Sequence, residues 1–181
     1  MGKQFQKLTP SLQEFISKQK IFFVATAMKE GHINLSPKGI DTFRVEDEYK
    51  VLWLNLTGSG NETATHLLHD ERMTLMFCAF EGPPKIVRLY GTAKVYHPRD
   101  ERFDTLVTSF PPIPGTRQIF ELTIELVQTS CGMGVPVMPY KKERNELIEW
   151  AREKGQTGLT NYMKEKNTTS LEGFPTGIFK T

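Results

Sequence analysis

Three stretches of this chain carry residues able to do chemistry. The segment LTGSGNETATHLL (residues 56–68) joins an apolar run to a helical pattern through Gly58 and Gly60, and packs Thr57, Ser59, Asn61, Glu62 and Thr63 into the joint. A strand that ends in glycines and opens a helix points unpaired backbone N–H groups one way, with the positive end of the helix dipole behind them. Such a joint holds phosphate without many cationic side chains. Capping by Ser59 or Asn61 accounts for the same residues, so both readings stay open. The joint has neither the Gly-Lys-Ser/Thr of a Walker loop nor the spacing of a dinucleotide fingerprint. The second stretch, Ser36-Pro37-Lys38-Gly39, sets one hydroxyl and one cation beside a rigid turn, as a ligand contact or as a plain solvent turn. In the third, Arg88 shares a strand face with Ile86 and Tyr90, as an ion-pair partner or as a reader of something planar and electron-rich.

Other residue types offer less. His66 and His69 lie three apart in one helical pattern, but no third ligand stands at a supporting spacing, so no metal site is expected. Cys78 sits in an apolar run and Cys131 stands alone, so the two do not form a four-ligand zinc site. Glu62 and Glu125 lack a partner spaced for acid–base work, and no nucleophile motif appears. Net charge is only +2, with basic residues mixed among acids, so composition does not imply a polyanion partner. The aromatics lie in core-like runs instead of alternating with basic residues, so nucleic acid is not expected. No apolar stretch approaches the ~20 residues of a spanning helix, and no signal-peptide core opens the chain. A cytoplasmic protein is expected, with no membrane association.

The elements that must position these residues follow from periodicity. Thr9 and Pro10 open a helix with Leu12, Phe15 and Ile16 on one face. Residues 21–28 and 32–36 form a hairpin around Lys29-Glu30-Gly31. Strands follow at 51–56, 72–80 and 86–97, with a helix at 62–69 and another from Pro98 to about Val107. Prolines 111, 112 and 114 impose a loop. Residues 119–127 alternate, with Phe120, Leu122, Ile124 and Leu126 inward and Glu121, Thr123 and Glu125 outward. A polar helix over 141–154, ended by Gly155, precedes a shorter one at 160–166, with Trp150 as a packing anchor. Six strands joined mostly by tight turns predict a mainly β, α+β fold: a closed antiparallel barrel with peripheral helices. Residues 1–140 form the barrel, and 141–181 a helical extension packed on it.

NLSPKGIDTFRV (34–45), LTGSGNETATHLL (56–68), RMTLMFCAFEGPP (72–84) and RLYGTAKV (88–95), in this order and spacing, resemble the pyridoxamine 5′-phosphate oxidase-like FMN-binding split barrels. The chain is similar to a flavoprotein branch that also carries QTSCGxGVP, here residues 128–136. The resemblance implies a six-stranded split β-barrel that dimerises, with FMN in a groove at the subunit interface. It carries flavin binding onto Ser36, Pro37, Lys38, Gly39, Asn61, Glu62 and Thr63, and places Arg88 near the ring or phosphate. The enzyme of vitamin synthesis has Ser-Arg-Lys where this chain has Asn61-Glu62-Thr63, which exchanges two cations for an acid and a hydroxyl. Its C-terminal substrate-binding tryptophan and arginine are also missing, so vitamin synthesis is not expected. The resemblance implies an FMN-dependent oxidoreductase, with a small-molecule substrate or reduced nicotinamide as partner. A non-catalytic flavin sensor, carrier or stress protein is the alternative, as is a deazaflavin or haem binder using the same groove.

Overall fold

The structure is a computed structural model that describes residues 2–179. In chain order its elements are β1 (Gln4–Phe5), α1 (Pro10–Ser17), β2 (Phe22–Thr26), β3 (Asn34–Lys38), β4 (Phe43–Val45), β5 (Lys50–Leu56) and α2 (Glu62–His69), then β6 (Arg72–Cys78), β7 (Ile86–Tyr96), α3 (Glu101–Val107), β8 (Thr116–Ser130) and α4 (Glu146–Lys166). One antiparallel sheet runs β3-β2-β6-β7-β8-β5-β4, and β1 pairs with β8 off this path. The six expected strands are present. β1 and β4, two and three residues long, are too short to show a period in the sequence.

The barrel is split, not closed. The hydrogen-bonded path ends at β3 and β4, and the sheet curls so that side chains from its two halves meet inside. Phe22 of β2 lies 5.1 Å from Phe43 of β4 and 5.6 Å from Phe77 of β6, while Trp53 of β5 stacks on Phe120 of β8 at 4.5 Å. These rings, with Val24, Leu75, Val87, Leu89 and Leu122, form the main core. α3 builds a second cluster outside the barrel by laying Phe103 and Leu106 over Leu52, Leu54 and Ile119.

Two expectations about β8 change. Tyr90 pairs with Leu126 but Gly91 pairs with Ile124, so Glu125 is skipped as a bulge. The inward phase shifts there: Leu126 is only half-buried, while Val127 is fully buried. A Cβ on Gly91 would lie 1.9 Å from the Thr123 carbonyl oxygen, so the strands close over the bulge only around glycine. Glu121, expected in water, is buried, because α3 carries Arg102 to it at 2.5 Å.

The C-terminal part also departs from the expected bounds. Residues 141–145 are not helical, and α4 starts at Glu146. Gly155 breaks α4 with φ 60° and ψ 174°. Trp150 and Tyr162 meet edge to face at 5.0 Å, although twelve residues of straight helix would part them by about 18 Å. The two halves therefore fold back on each other, with Trp150 as the contact. Among the described residues, no helix is long and apolar enough to cross a membrane.

Candidate functional site

The β2–β3 hairpin aims three polar side chains inward. Lys38 pairs with Phe22, Ser36 with Val24 and Asn34 with Thr26, and those three β2 residues are buried. Cross-strand partners share a face, so Asn34, Ser36 and Lys38 face the barrel interior. α2 covers the same end. Asn34 Nδ2 donates to Thr63 Oγ1 at 3.1 Å, which brings the β3 cluster to the start of α2. Asn61 occupies the N-cap of α2, but no side chain caps the helix, and its buried Oδ1 has no partner.

Lys38 is a half-buried cation. Its Nζ lies 4.9 Å from the centroid of the Trp53 ring, and its pKa falls to about 8, first from burial and then from the charge of Arg117. Arg117 on β8 is itself 4 % exposed, and burial pulls its pKa to about 10. Among the described residues neither cation has a carboxylate partner. A buried and a half-buried cation without an acid partner cost stability unless an anion joins them. Three groups nearby, Ser36 Oγ, Asn61 Oδ1 and Arg117 Nε, are buried without partners. Ser36 Oγ and Arg117 Nε are donors that suit a phosphate, whereas Asn61 Oδ1 is an acceptor.

Much of the joint's polarity serves another purpose. Asn167, at the end of α4 and fully buried, accepts from Arg117 Nη1 at 2.7 Å through Oδ1 and donates from Nδ2 to the Gly58 carbonyl at 2.9 Å. Its carbonyl accepts from Asn61 Nδ2 at 3.4 Å and from Thr176 Oγ1 at 2.5 Å. Thr57 donates through both N and Oγ1 to Gly115 O, at 2.7 and 2.9 Å. The joint is thus partly a dock for the C-terminal segment.

The remaining sequence-predicted residues lie elsewhere. Pro37, Phe23, Met76 and Arg88 form one cross-strand row, on the sheet face opposite Lys38. Arg88 donates to Ser130 Oγ at 3.1 Å there, and Tyr90 OH to Gln128 Oε1 at 3.2 Å. Glu62 turns from the cradle and accepts the Leu171 N–H at 3.1 Å. Gly39 follows β3, and its carbonyl accepts from Thr42 Oγ1 at 2.8 Å. A cavity of about 1070 Å³, walled by Phe15, Phe23, Phe80, Met138 and Tyr140, holds none of the predicted residues. Of its lysines, Lys20 lies over Tyr140, Lys85 over Phe15, and Lys18 pairs with Glu14.

Sequence reasoning missed Arg117 and Asn167. Arg117 opens an alternating strand where a surface cation looks the same, and Asn167 sits in a polar stretch with no pattern around it. Only the fold buries them.

Comparison with known proteins agrees with this architecture. The family described as pyridoxamine 5′-phosphate oxidase matches residues 8–131. The pyridoxamine 5′-phosphate oxidase family protein ustO of Aspergillus flavus is 35% identical over 191 aligned residues, covering 94% of this chain and 76% of the relative. Among solved structures, HupZ of Group A Streptococcus is 18% identical with a TM-score of 0.54, over 67% of this chain and 98% of that one. A candidate pyridoxamine 5′-phosphate oxidase of Lactobacillus delbrueckii is 22% identical, also at 0.54, over 68% and 94%. An FAD-binding protein of Mesorhizobium loti is 12% identical at 0.50, over 71% and 97%. At these identities the solved structures show the split-barrel fold, whereas the family match spans most of the chain. This chain therefore belongs to the pyridoxamine 5′-phosphate oxidase family.

Proposed function

We propose that this chain is a flavoprotein that binds FMN and acts as an FMN-dependent oxidoreductase. The observation that carries the reading is the pair of desolvated cations, half-buried Lys38 and buried Arg117, with no acid partner among the described residues, beside the uncapped start of α2. Two positive charges match the charge of one phosphate monoester. In this reading Lys38 and Arg117 neutralise the phosphate, while Ser36, Asn61 and Thr63 orient it and the ribityl chain. The flavin, when bound, supplies the redox chemistry; the chain supplies binding, orientation and exclusion of water. Supporting the reading are the family membership and the FAD-binding relative, which use the same fold.

Titration distinguishes the cofactors. FMN should quench and raise the melting temperature, and riboflavin, which lacks the phosphate, should bind at least tenfold more weakly, since a charge-assisted hydrogen bond contributes about 1.5–3 kcal/mol. FAD binding as tightly as FMN would reassign the cofactor. Equal binding of FMN and riboflavin would sink the cradle. Oxidation of reduced nicotinamide no faster than by free FMN would favour a non-catalytic flavin carrier.

The chain is also proposed to act as a homodimer through the sheet face opposite Lys38. Leu35, which shares that face with Phe23 and Arg88 by register, is 63% exposed, and the neighbouring Ile33 is 75% exposed. Sedimentation should give a dimer for the wild type and a shift to monomer for Leu35→Glu. A monomeric wild type would overturn the dimer.

A further inference from the structure

α2 carries Glu62 and His66 four residues apart, hence on one face. The turn after α4 brings Glu172 beside them, so that one nitrogen of His66 and one oxygen of each carboxylate lie within 4.8 Å of one another. His66 is 1% exposed, its Nδ1 lies 3.0 Å from Thr26 Oγ1, and its Nε2 has no partner. With Nδ1–H donated to the threonine, Nε2 keeps a free lone pair.

The two carboxylates are oriented from behind as well. Glu172 Oε1 accepts from His32 N at 2.9 Å and lies 3.1 Å from His32 Nδ1, while its Oε2 is buried without a partner. Glu62 accepts the Leu171 N–H at 3.1 Å on each oxygen. The β2–β3 turn fits around Glu172, since a Cβ on Gly31 would come within 3.0 Å of Oε1, at a φ of +100°. Each of the three groups is therefore held by an outer hydrogen bond and still has a lone pair to offer. Outer-shell partners of this kind fix metal ligands. Direct contact does not explain the arrangement, because no hydrogen bond joins His66 Nε2 to either carboxylate. Two ionised carboxylates this close repel each other, and a dication between them removes that repulsion.

We propose that Glu62, His66 and Glu172 bind a divalent first-row transition cation, with zinc the best match to one imidazole and two carboxylates. Ligand atoms bonded at about 2.1 Å in a tetrahedron lie roughly 3.4 Å apart, so small side-chain rotations close the site and leave a fourth position for water. Bound there, the cation ties the 170–173 turn to α2, next to Asn61 and Thr63. It is a structural clasp between the C-terminal segment and the barrel, and it does not depend on the flavin reading.

The full chain, stripped with chelator and exchanged into flavin-free buffer, is titrated with zinc chloride alone. A Cys131→Ser background removes the exposed thiol. One zinc per chain at micromolar or tighter Kd is expected, with a melting temperature raised by several degrees. Glu172→Gln should bind at least tenfold more weakly and keep the metal-free melting temperature, and Glu62→Gln should repeat the result on a second element. No stoichiometric binding by the stripped chain, or equal binding by both variants, would overturn the proposal. Flavin titration of the same samples reports on the cradle separately.

Discussion

Lys38→Met is expected to make the flavin-free protein more stable and, at the same time, a poor binder of FMN. Methionine fills a similar volume without a charge, so the variant escapes the burial that lowers the Lys38 pKa from 10.5 to about 8. That depression corresponds to roughly 3 kcal/mol at most, part of it offset by the lost contact with the Trp53 ring. The pH dependence has a definite sign. The unfolded chain holds the lysine proton more tightly than the folded one, so the penalty is complete below about pH 8 and fades as pH rises toward 10.5. Wild-type melting temperature, measured without flavin, should therefore climb relative to the variant's across that window. FMN affinity should fall above about pH 8, as the folded lysine loses its proton, while riboflavin affinity stays level. The variant should lose tenfold or more in FMN affinity and little in riboflavin affinity. A variant that melts lower and weakens both flavins alike would make Lys38 a structural residue.

Asn167→Ala should unfold the chain more readily than any other single change proposed. It leaves Arg117 Nη1 and the Gly58 carbonyl without partners in a buried place, and an orphaned buried charge with its neighbours costs about 3–5 kcal/mol. Urea denaturation measures this directly. Asn167→Asp separates stability from binding. It gives Arg117 a carboxylate in the same position, so the fold should survive at neutral pH. The cationic charge offered to phosphate is then halved, and FMN should lose tenfold or more relative to riboflavin. FMN binding unchanged in a folded Asn167→Asp protein would take Arg117 out of the phosphate site and leave Lys38 with the α2 start.

These expectations mark where the chain's local and long-range information divide. Periodicity and punctuation determined α2, whose bounds at Glu62 and His69 follow from the glycine joint before it, and the β2–β3 hairpin around Gly31. They also determined the break of the last helix at Gly155, whose positive φ needs glycine wherever the helix packs. The linked motifs from Ser36 to Arg88 were enough to recognise the split barrel. Each of these depends on a few neighbouring residues, and those residues are written side by side.

The tertiary structure decided what surrounds each candidate. Ser36, Lys38, Asn61 and Thr63 gather at one barrel end, whereas Arg88 lies across the sheet, because register between four strands assigns the faces. Glu62 turns toward residues more than a hundred positions away, and the same distant turn supplies Glu172 to His66. Arg117 became a buried cation only when Asn167 and the folded-back α4 closed over it. A charge on a strand reads alike whether it meets water or a closed interior; its energy is set by the dielectric and the partners that packing brings, and no local pattern encodes those.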